Sequence, residues 1–300
     1  MEDYVILTKD LTKRFKNKVA VNGVNMHIRR GEIYGFIGKN GAGKTTAMKM
    51  ILSLLTPDGG EVYLFGQPLN GLSLKKVGSL IEAPGLYGGC TAYENLKRIS
   101  ILTGGTDQKI YELLDFVGLG AVGNKKVRAF SLGMKQRLGI AVALMSDPEL
   151  LVLDEPVNGL DPQGMKEIRD LILKVNREKK TTFLISSHML FELEKIATVY
   201  GIIDNGVLIE EISAYELEKL CEKNLEIVCD DVKKAIAVIT EKFGVSPTEN
   251  DGVITVAKFA EKAADVNKAL VTSGVGVSEI KAAGMDFESY FIQRTGENNA

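Results

Sequence analysis

Gly38-Lys39-Asn40-Gly41-Ala42-Gly43-Lys44-Thr45 brings three glycines, two lysines and a hydroxyl together in eight residues. The pattern is G-x-x-x-x-G-K-[ST], with an apolar strand-like run, "IYGFI", before it and a helical pattern after it. Glycine lets consecutive backbone N–H groups turn into one concavity, and the start of a helix adds partial positive charge there. Lys44 reaches the outer phosphates of a ligand, and the Thr45 hydroxyl is a hard oxygen ligand for Mg²⁺. The chemistry is recognition of a nucleotide phosphate; the loop alone does not say which reaction follows.

Two acids lie far along the chain, at the end of the apolar run "LLVLD". In a parallel sheet the C-terminal ends of the strands gather at one edge, where ligands bind. Asp154 is placed there to hold Mg²⁺, through water, and Glu155 to polarise an attacking water. Ser131 and Gly133 open a helix in "FSLGMKQR", and a helix start with a hydroxyl and free N–H groups is a second anion site. Read alone, Ser131 is equally a plain N-cap. His188, one of only two histidines, follows the strand "TFLIS" and is either a donor to a phosphate oxygen or a structural residue. Glu82 is a lone acid in "SLIEAPGLY", a stretch that reads as a turn.

These residues need elements to hold them. Residues 4–37 read as short strands, Thr45 to Leu55 as a helix stopped by Pro57, and "EVYLFG" as a strand. From about Pro84 to Lys135 the texture is helical. Thr91 and Glu94 form a capping box, Gly118 ends the next helix, and the helix after Ser131 is apolar almost all round, hence buried. Asp161 is an N-cap with Pro162 at the first helical position. Strands alternating with helices imply a mostly parallel sheet. Beyond residue 215 the pattern is strand Leu225–Cys229, helix Val232–Phe243, strands Val245–Thr248 and Val253–Ala257, helix Glu261–Ser273, strand Val275–Ile280 and a helix from Phe287. That order is a small α+β unit of split-βαβ type, followed by a frayed polar tail, "TGENNA".

Composition sets outer limits. With 45% hydrophobic and 25% charged residues the chain is an ordinary globular one, and a net charge of -2 supplies no basic field for nucleic acid or lipid. Cys90, Cys221 and Cys229 form no metal-type pair and read as reduced thiols. No signal peptide is visible, and no stretch approaches the roughly 20 apolar residues that cross a bilayer, so any membrane role is expected to run through a partner.

Taken together, "GKNGAGKTT" (Gly38–Thr46), "LLVLDEP", "FSLGMKQR", "NGLDP" and His188, in this order, resemble the nucleotide-binding subunit of ABC transporters over roughly residues 4 to 212. The resemblance implies an ABC-type P-loop NTPase domain over residues 1–215, a mixed sheet core with a helical subdomain at about 84–140, and a C-terminal extension at 216–300. It implies that Gly38, Lys39, Asn40, Gly41, Ala42, Gly43, Lys44, Thr45 and Thr46 bind ATP with Mg²⁺. It also implies that Phe15 stacks on adenine, although a strand core residue is the other reading, that Ser131 and Gly133 face the γ-phosphate of the opposite subunit, and that Asp161, in the D-loop "NGLDP", belongs to the nucleotide-binding set. The signature departs from the usual LSGGQ at Leu132 and Met134.

The family places a glutamine where Glu82 stands. "SLIEAPGLY…TAYENL" is similar to the form found in the subgroup handling lantibiotics, bacitracin and similar peptides, and the C-terminal pattern agrees with that subgroup's extension. A carboxylate is a better Mg²⁺ ligand than an amide oxygen, so Glu82 is expected at the metal beside Thr45 and Asp154 and in catalysis with Lys44, Glu155 and His188. The partners implied are a second ATPase subunit, identical or not, and a membrane permease. The location implied is the inner, cytoplasmic face of the membrane, with no nucleic acid. The alternative is a soluble ABC ATPase acting on nucleic acid or ribosomes.

Overall fold

The computed structural model describes residues 3–16 and 18–296. The chain forms two compact units, residues up to Ala214 and residues from Tyr215 onward.

The first unit holds two sheets. One is antiparallel: β2 (Lys18–Val24), β1 (Tyr4–Phe15), β5 (Gly59–Leu64) and β6 (Gln67–Pro68) lie side by side, with β3 (His27–Arg29) also on β1. The other runs β11 (Val207–Ser213), β10 (Val199–Asp204), β4 (Ile33–Ile37), β9 (Thr182–Ser187), β8 (Leu150–Asp154), β7 (Val77–Leu80). Its strands are parallel except β11, which returns antiparallel to β10. Every residue of β4, β8 and β9 is buried, as their largely apolar runs require of strands covered on both faces.

Helix α1 (Lys44–Ile51) runs between the sheets. Its Met48, Met50 and Ile51 share one apolar core with Ile6, Leu11 and Leu64 of the first sheet and Phe36, Val152 and Leu184 of the second. Burial of each such side chain contributes about 2 kcal/mol, which anchors the loop leading into the helix. The helix ends earlier than Leu55. Ser53 takes a φ of 58°, and the Leu54 amide donates back to the Lys49 carbonyl oxygen at 2.8 Å, which turns the chain away.

A short helix, α2 (Gly71–Leu74), precedes β7. The stretch read as a turn, Ser79–Tyr87, begins inside β7, whose Ser79 and Leu80 pair with Val152 and Leu153. Strands β10 and β11 have no counterpart in the sequence reading. The helical part consists of α3 (Ala92–Thr103), α4 (Asp107–Phe116) and α5 (Leu132–Leu144). The Thr91–Glu94 capping box is present: the Glu94 amide donates to Thr91 Oγ1 at 3.1 Å and the Thr91 amide to Glu94 Oε2 at 2.6 Å. That amide, together with Lys126, holds the Glu94 carboxyl below the usual carboxylate range. Helix α6 (Pro162–Lys179) begins at the Asp161 cap, and α7 (Leu190–Leu193) follows β9.

The second unit contains α8 (Ala214–Leu220), β12 (Asn224–Cys229), α9 (Val232–Phe243), β13 (Thr248–Asn250), β14 (Val253–Val256), α10 (Ala263–Thr272), β15 (Val277–Ala283) and α11 (Phe287–Gly296). Its sheet is antiparallel throughout in the order β13-β14-β12-β15, the split-βαβ arrangement. Leu225, Ile227, Ile254 and Val256 pack against Ala235 and Ile239 of α9 and Val266 and Leu270 of α10. Two boundaries move for local reasons. Pro247 has no N–H for a ladder, so β13 begins only at Thr248. The Val275 amide is spent on the Leu270 carbonyl oxygen, so β15 begins at Val277. Thr295 and Gly296 of the polar tail belong to α11, with Thr295 buried; the rest of the tail lies outside the described residues.

Candidate active site

The parallel order of β10, β4, β9, β8 and β7 delivers five chain ends to one sheet edge. The loop after β4 carries Gly38–Thr45. A Cβ on Gly38 would lie 2.5 Å from the Ile203 carbonyl oxygen, and one on Gly43 2.5 Å from that of Ala20. Gly43 also takes a φ of 111°, so both positions demand glycine. Lys44 is buried, and its ammonium lies at the loop: Nζ donates to the carbonyl oxygens of Gly38 at 2.6 Å and Lys39 at 3.3 Å, and stands 3.4 Å from Glu155 Oε1. The Ala42 amide donates to the Lys39 carbonyl oxygen, which fixes the turn through Asn40 and Gly41.

Asp154 ends β8 as a buried carboxylate with two hydroxyl donors. Thr45 Oγ1 donates to its Oδ2 at 2.7 Å and Ser186 Oγ to its Oδ1 at 2.5 Å. The Ser186 hydroxyl also accepts from the Glu155 amide at 2.9 Å. Glu155 takes a φ of 50°, which swings its side chain away from that of Asp154, and its Oε2 lies 2.7 Å from His188 Nδ1. Ser186 was not among the residues singled out in the sequence. Its signal is a hydroxyl inside the buried strand "TFLISS".

A cleft of about 360 Å³ opens above the loop, lined among others by Phe15, Lys18, Asn40, Lys44, Thr45 and Glu155. Thr46, Gly41 and Gly43 line it too. Phe15 ends β1 with half of its surface exposed and Lys13 Nζ 5.7 Å from its ring centre. An exposed ring at the mouth of a phosphate cleft fits base stacking and excludes the strand-core reading.

Ser131, Gly133 and Asp161 do not line this cleft. Ser131 caps α5, accepting from the Met134 amide at 3.2 Å, and Asp161 caps α6, accepting from the Gly164 amide at 2.8 Å. The two segments adjoin: a Cβ on Gly159 would stand 3.3 Å from Leu132, and one on Gly133 3.8 Å from Leu160. They form a second, separate surface.

Glu82 is placed differently from expectation. It lies just past β7, next to β8, with a φ of 61°, yet its Oε1 is 2.5 Å from Lys49 Nζ and its side chain is 65% exposed. The carboxylate is bonded to the phosphate-loop helix, not to Thr45 or Asp154. Among the described residues no cluster of three or more His, Cys, Asp or Glu forms a metal cage. The Thr45 hydroxyl and Asp154 carboxylate are a sparse hard-oxygen set, of the kind Mg²⁺ takes together with water and phosphate.

A glycine loop before a helix, two acids at the end of a parallel strand of the same sheet and a histidine on the second acid define a P-loop ATPase of the ATP-binding cassette class. The chain belongs to the ABC transporter family, whose model matches residues 21–158. It is the ATP-binding, ATP-hydrolysing subunit of a transport system, and the soluble nucleic-acid or ribosome reading is set aside. Over 98% of this chain and 97% of the other, it is 42% identical to the bacitracin transport ATP-binding protein BcrA of Enterococcus faecalis. The lantibiotic transport ATP-binding protein SrtF of Streptococcus pyogenes is 43% identical over 68% of this chain and 88% of its own. Among solved structures, the cassette MJ0796, a dimeric post-hydrolysis state bound to ADP and Pi, matches with a TM-score of 0.63 at 26% identity over 70% of this chain and 98% of that one. No helix among the described residues is long and apolar enough to cross a membrane.

Proposed function

We propose that this chain hydrolyses ATP in a pocket shared by two ATPase subunits, and that the closure drives a separate membrane permease exporting peptide antibiotics or similar hydrophobic drugs. The observation that carries the substrate class is the 42% identity to a bacitracin transport ATP-binding protein along nearly the whole chain, the C-terminal unit included.

The geometry supports the following roles. Phe15 stacks on the base. The loop N–H groups and Lys44 hold the phosphates, the ammonium exchanging its carbonyl partners for phosphate oxygens. A Mg²⁺ ion arriving with the nucleotide would be held by Thr45 and Asp154 and would neutralise phosphate charge. Glu155 orients and polarises the attacking water, and His188 holds Glu155 and donates toward the γ-phosphate. Ser131 and Gly133 of one subunit, with Asp161 beside them, close over the cleft of the other. Phosphoryl transfer needs mainly positioning and electrostatic stabilisation, so assembly of the pocket is itself the catalytic event.

Co-expression with a candidate permease that co-purifies with the chain, in an antibiotic-sensitive bacterial host, tests the assignment. Resistance to bacitracin or lantibiotics rises by several fold and resistance to unrelated drugs does not. Lys44→Ala in the chain abolishes the gain. An unchanged peptide-antibiotic threshold in cells that accumulate both proteins sinks the substrate class.

Glu82 is proposed to leave Lys49 for the metal and its water when the pocket closes. Glu82→Gln then keeps nucleotide affinity, lowers turnover by about tenfold, equivalent to about 1.4 kcal/mol, and raises the Mg²⁺ concentration giving half-maximal rate. The lost ion pair is exposed and worth at most about 1 kcal/mol, so folding is not at issue. Unchanged turnover and Mg²⁺ dependence removes any special role for the carboxylate.

A further inference from the structure

Glu192, on α7 four residues after His188, is 3% exposed, less than any other carboxylate residue among those described. Both of its oxygens are engaged. Oε2 accepts from Arg169 Nη1 of α6, and Oε1 lies 3.5 Å from Lys195 Nζ. The arginine side chain is itself mostly buried, 16% exposed. The pair sits against a small apolar pocket formed by Val157, Ile172, Ile185, Leu193 and Ile196.

An ion pair of this kind does little for stability, because desolvation of two charges cancels most of their attraction. Its worth must lie in geometry. Helix α7 has only four residues and no side-chain cap at Met189, far below the length at which a helix holds itself. Its position is therefore set by what it is attached to. Leu193 and Ile196 are buried in the apolar pocket, and Glu192 is tied to Arg169. The mount on the other side is firm: α6 is 18 residues long, begins at the Asp161 cap and buries Ile168, Leu171, Ile172 and Val175. His188 stands between two anchors, the Ser187 hydroxyl, which accepts from the Met189 amide at 2.9 Å, and this buried pair. Its Nδ1 must meet Glu155 Oε2 at 2.7 Å, and a misplacement of about 1 Å at such a contact can cost about a hundredfold in rate.

We infer that Arg169 and Glu192 are positioning residues for hydrolysis: the buried pair clamps α7 to α6 and thereby holds the His188 imidazole on Glu155. The inference rests on the reading of Glu155 and His188 as hydrolytic residues. It also links the segment bearing His188 to the helix that starts at Asp161, so a push on that helix start reaches the histidine through one ion pair.

The test replaces both partners at once, Arg169→Met with Glu192→Leu in the full chain. Apolar groups of similar size leave no buried charge unpaired, and such exchanges are often neutral for folding. A thermal melt within a few degrees of the parent confirms the fold. ATPase kinetics then show kcat lower by about tenfold, with KM for MgATP and the affinity for a fluorescent ATP analogue within twofold, the signature of an interaction made only in the transition state. In a His188→Ala background, already slow, the same double substitution changes kcat by less than twofold, as residues acting through one another must. Arg169→Lys, which keeps the charge, recovers most of the rate. A double variant as fast as the parent, an undiminished tenfold drop in the His188→Ala background, or a loss expressed in KM overturns the inference. The underlying reading fails separately: His188→Ala would then hydrolyse ATP at the parental rate, and the clamp would fall with it.

Discussion

Glu155→Gln lowers ATP hydrolysis by two to three orders of magnitude, roughly what a positioned general base supplies, and leaves nucleotide affinity within a few-fold. In sizing experiments with excess MgATP the variant elutes as a stable dimer. Glutamine keeps the length of the side chain and can still meet His188 Nδ1, which lies 2.7 Å from Glu155 Oε2. The backbone is unaffected, because the Glu155 amide is held by Ser186 rather than by its own side chain. What disappears is the negative charge. Without it no base takes a proton from water, and the ammonium of Lys44, 3.4 Å from the carboxylate, loses a competitor for phosphate. Binding therefore survives while turnover stops, and the closed assembly accumulates. A variant that remains monomeric with excess MgATP, or that turns over at the parental rate, removes Glu155 from this role.

Two inactive chains restore each other. Lys44→Ala takes away the ammonium at the loop. Ser131→Arg places a bulky cation at the start of α5, where the cap accepts from the Met134 amide. Each variant alone hydrolyses ATP at about a hundredth of the parental rate or less, the loss of several kcal/mol of phosphate stabilisation. Mixed in equal amounts, they recover about one quarter of the parental activity. In a two-fold assembly half of the pairs are mixed, and each mixed pair holds one intact pocket. The prediction comes from the separation of surfaces: Lys44 lines the nucleotide cleft, whereas Ser131 and Gly133 do not. If mixing restores nothing although both chains bind the same partner, each chain carries its whole pocket and the shared-site mechanism is gone.

The site was unusually legible because its chemistry depends on residue types that few other structures require at that spacing. Gly38 and Gly43 stand where a Cβ would meet backbone oxygens, and Lys44 to Thr45 open a helix, so the pattern and the geometry are the same fact seen twice. Caps were legible for a similar reason: Thr91 with Glu94, and Asp161 with Pro162, satisfy local N–H groups and need no knowledge of the fold. What depended on distant neighbours was not. The run at Val77–Leu80 is a strand because β8 lies alongside, β10 because β4 does, and β11 because it returns on β10. The motif order puts Glu82 at the metal, whereas the structure puts it on Lys49. Its tie to Lys49 joins residues 33 apart in the sequence and depends on how β7 sits beside α1. Ser186 carries little signal of its own in the sequence, because a lone hydroxyl in a buried strand has many ordinary explanations.

That serine has a wider consequence. One oxygen atom donates a hydrogen bond to Asp154 and accepts one from the backbone amide of Glu155. The spacing between the two acids at the end of β8 is thus built around a single shared hydroxyl. A substitution at Ser186 therefore reaches both acids together, so either one can be adjusted alone only from the rim of the pocket and not from its floor.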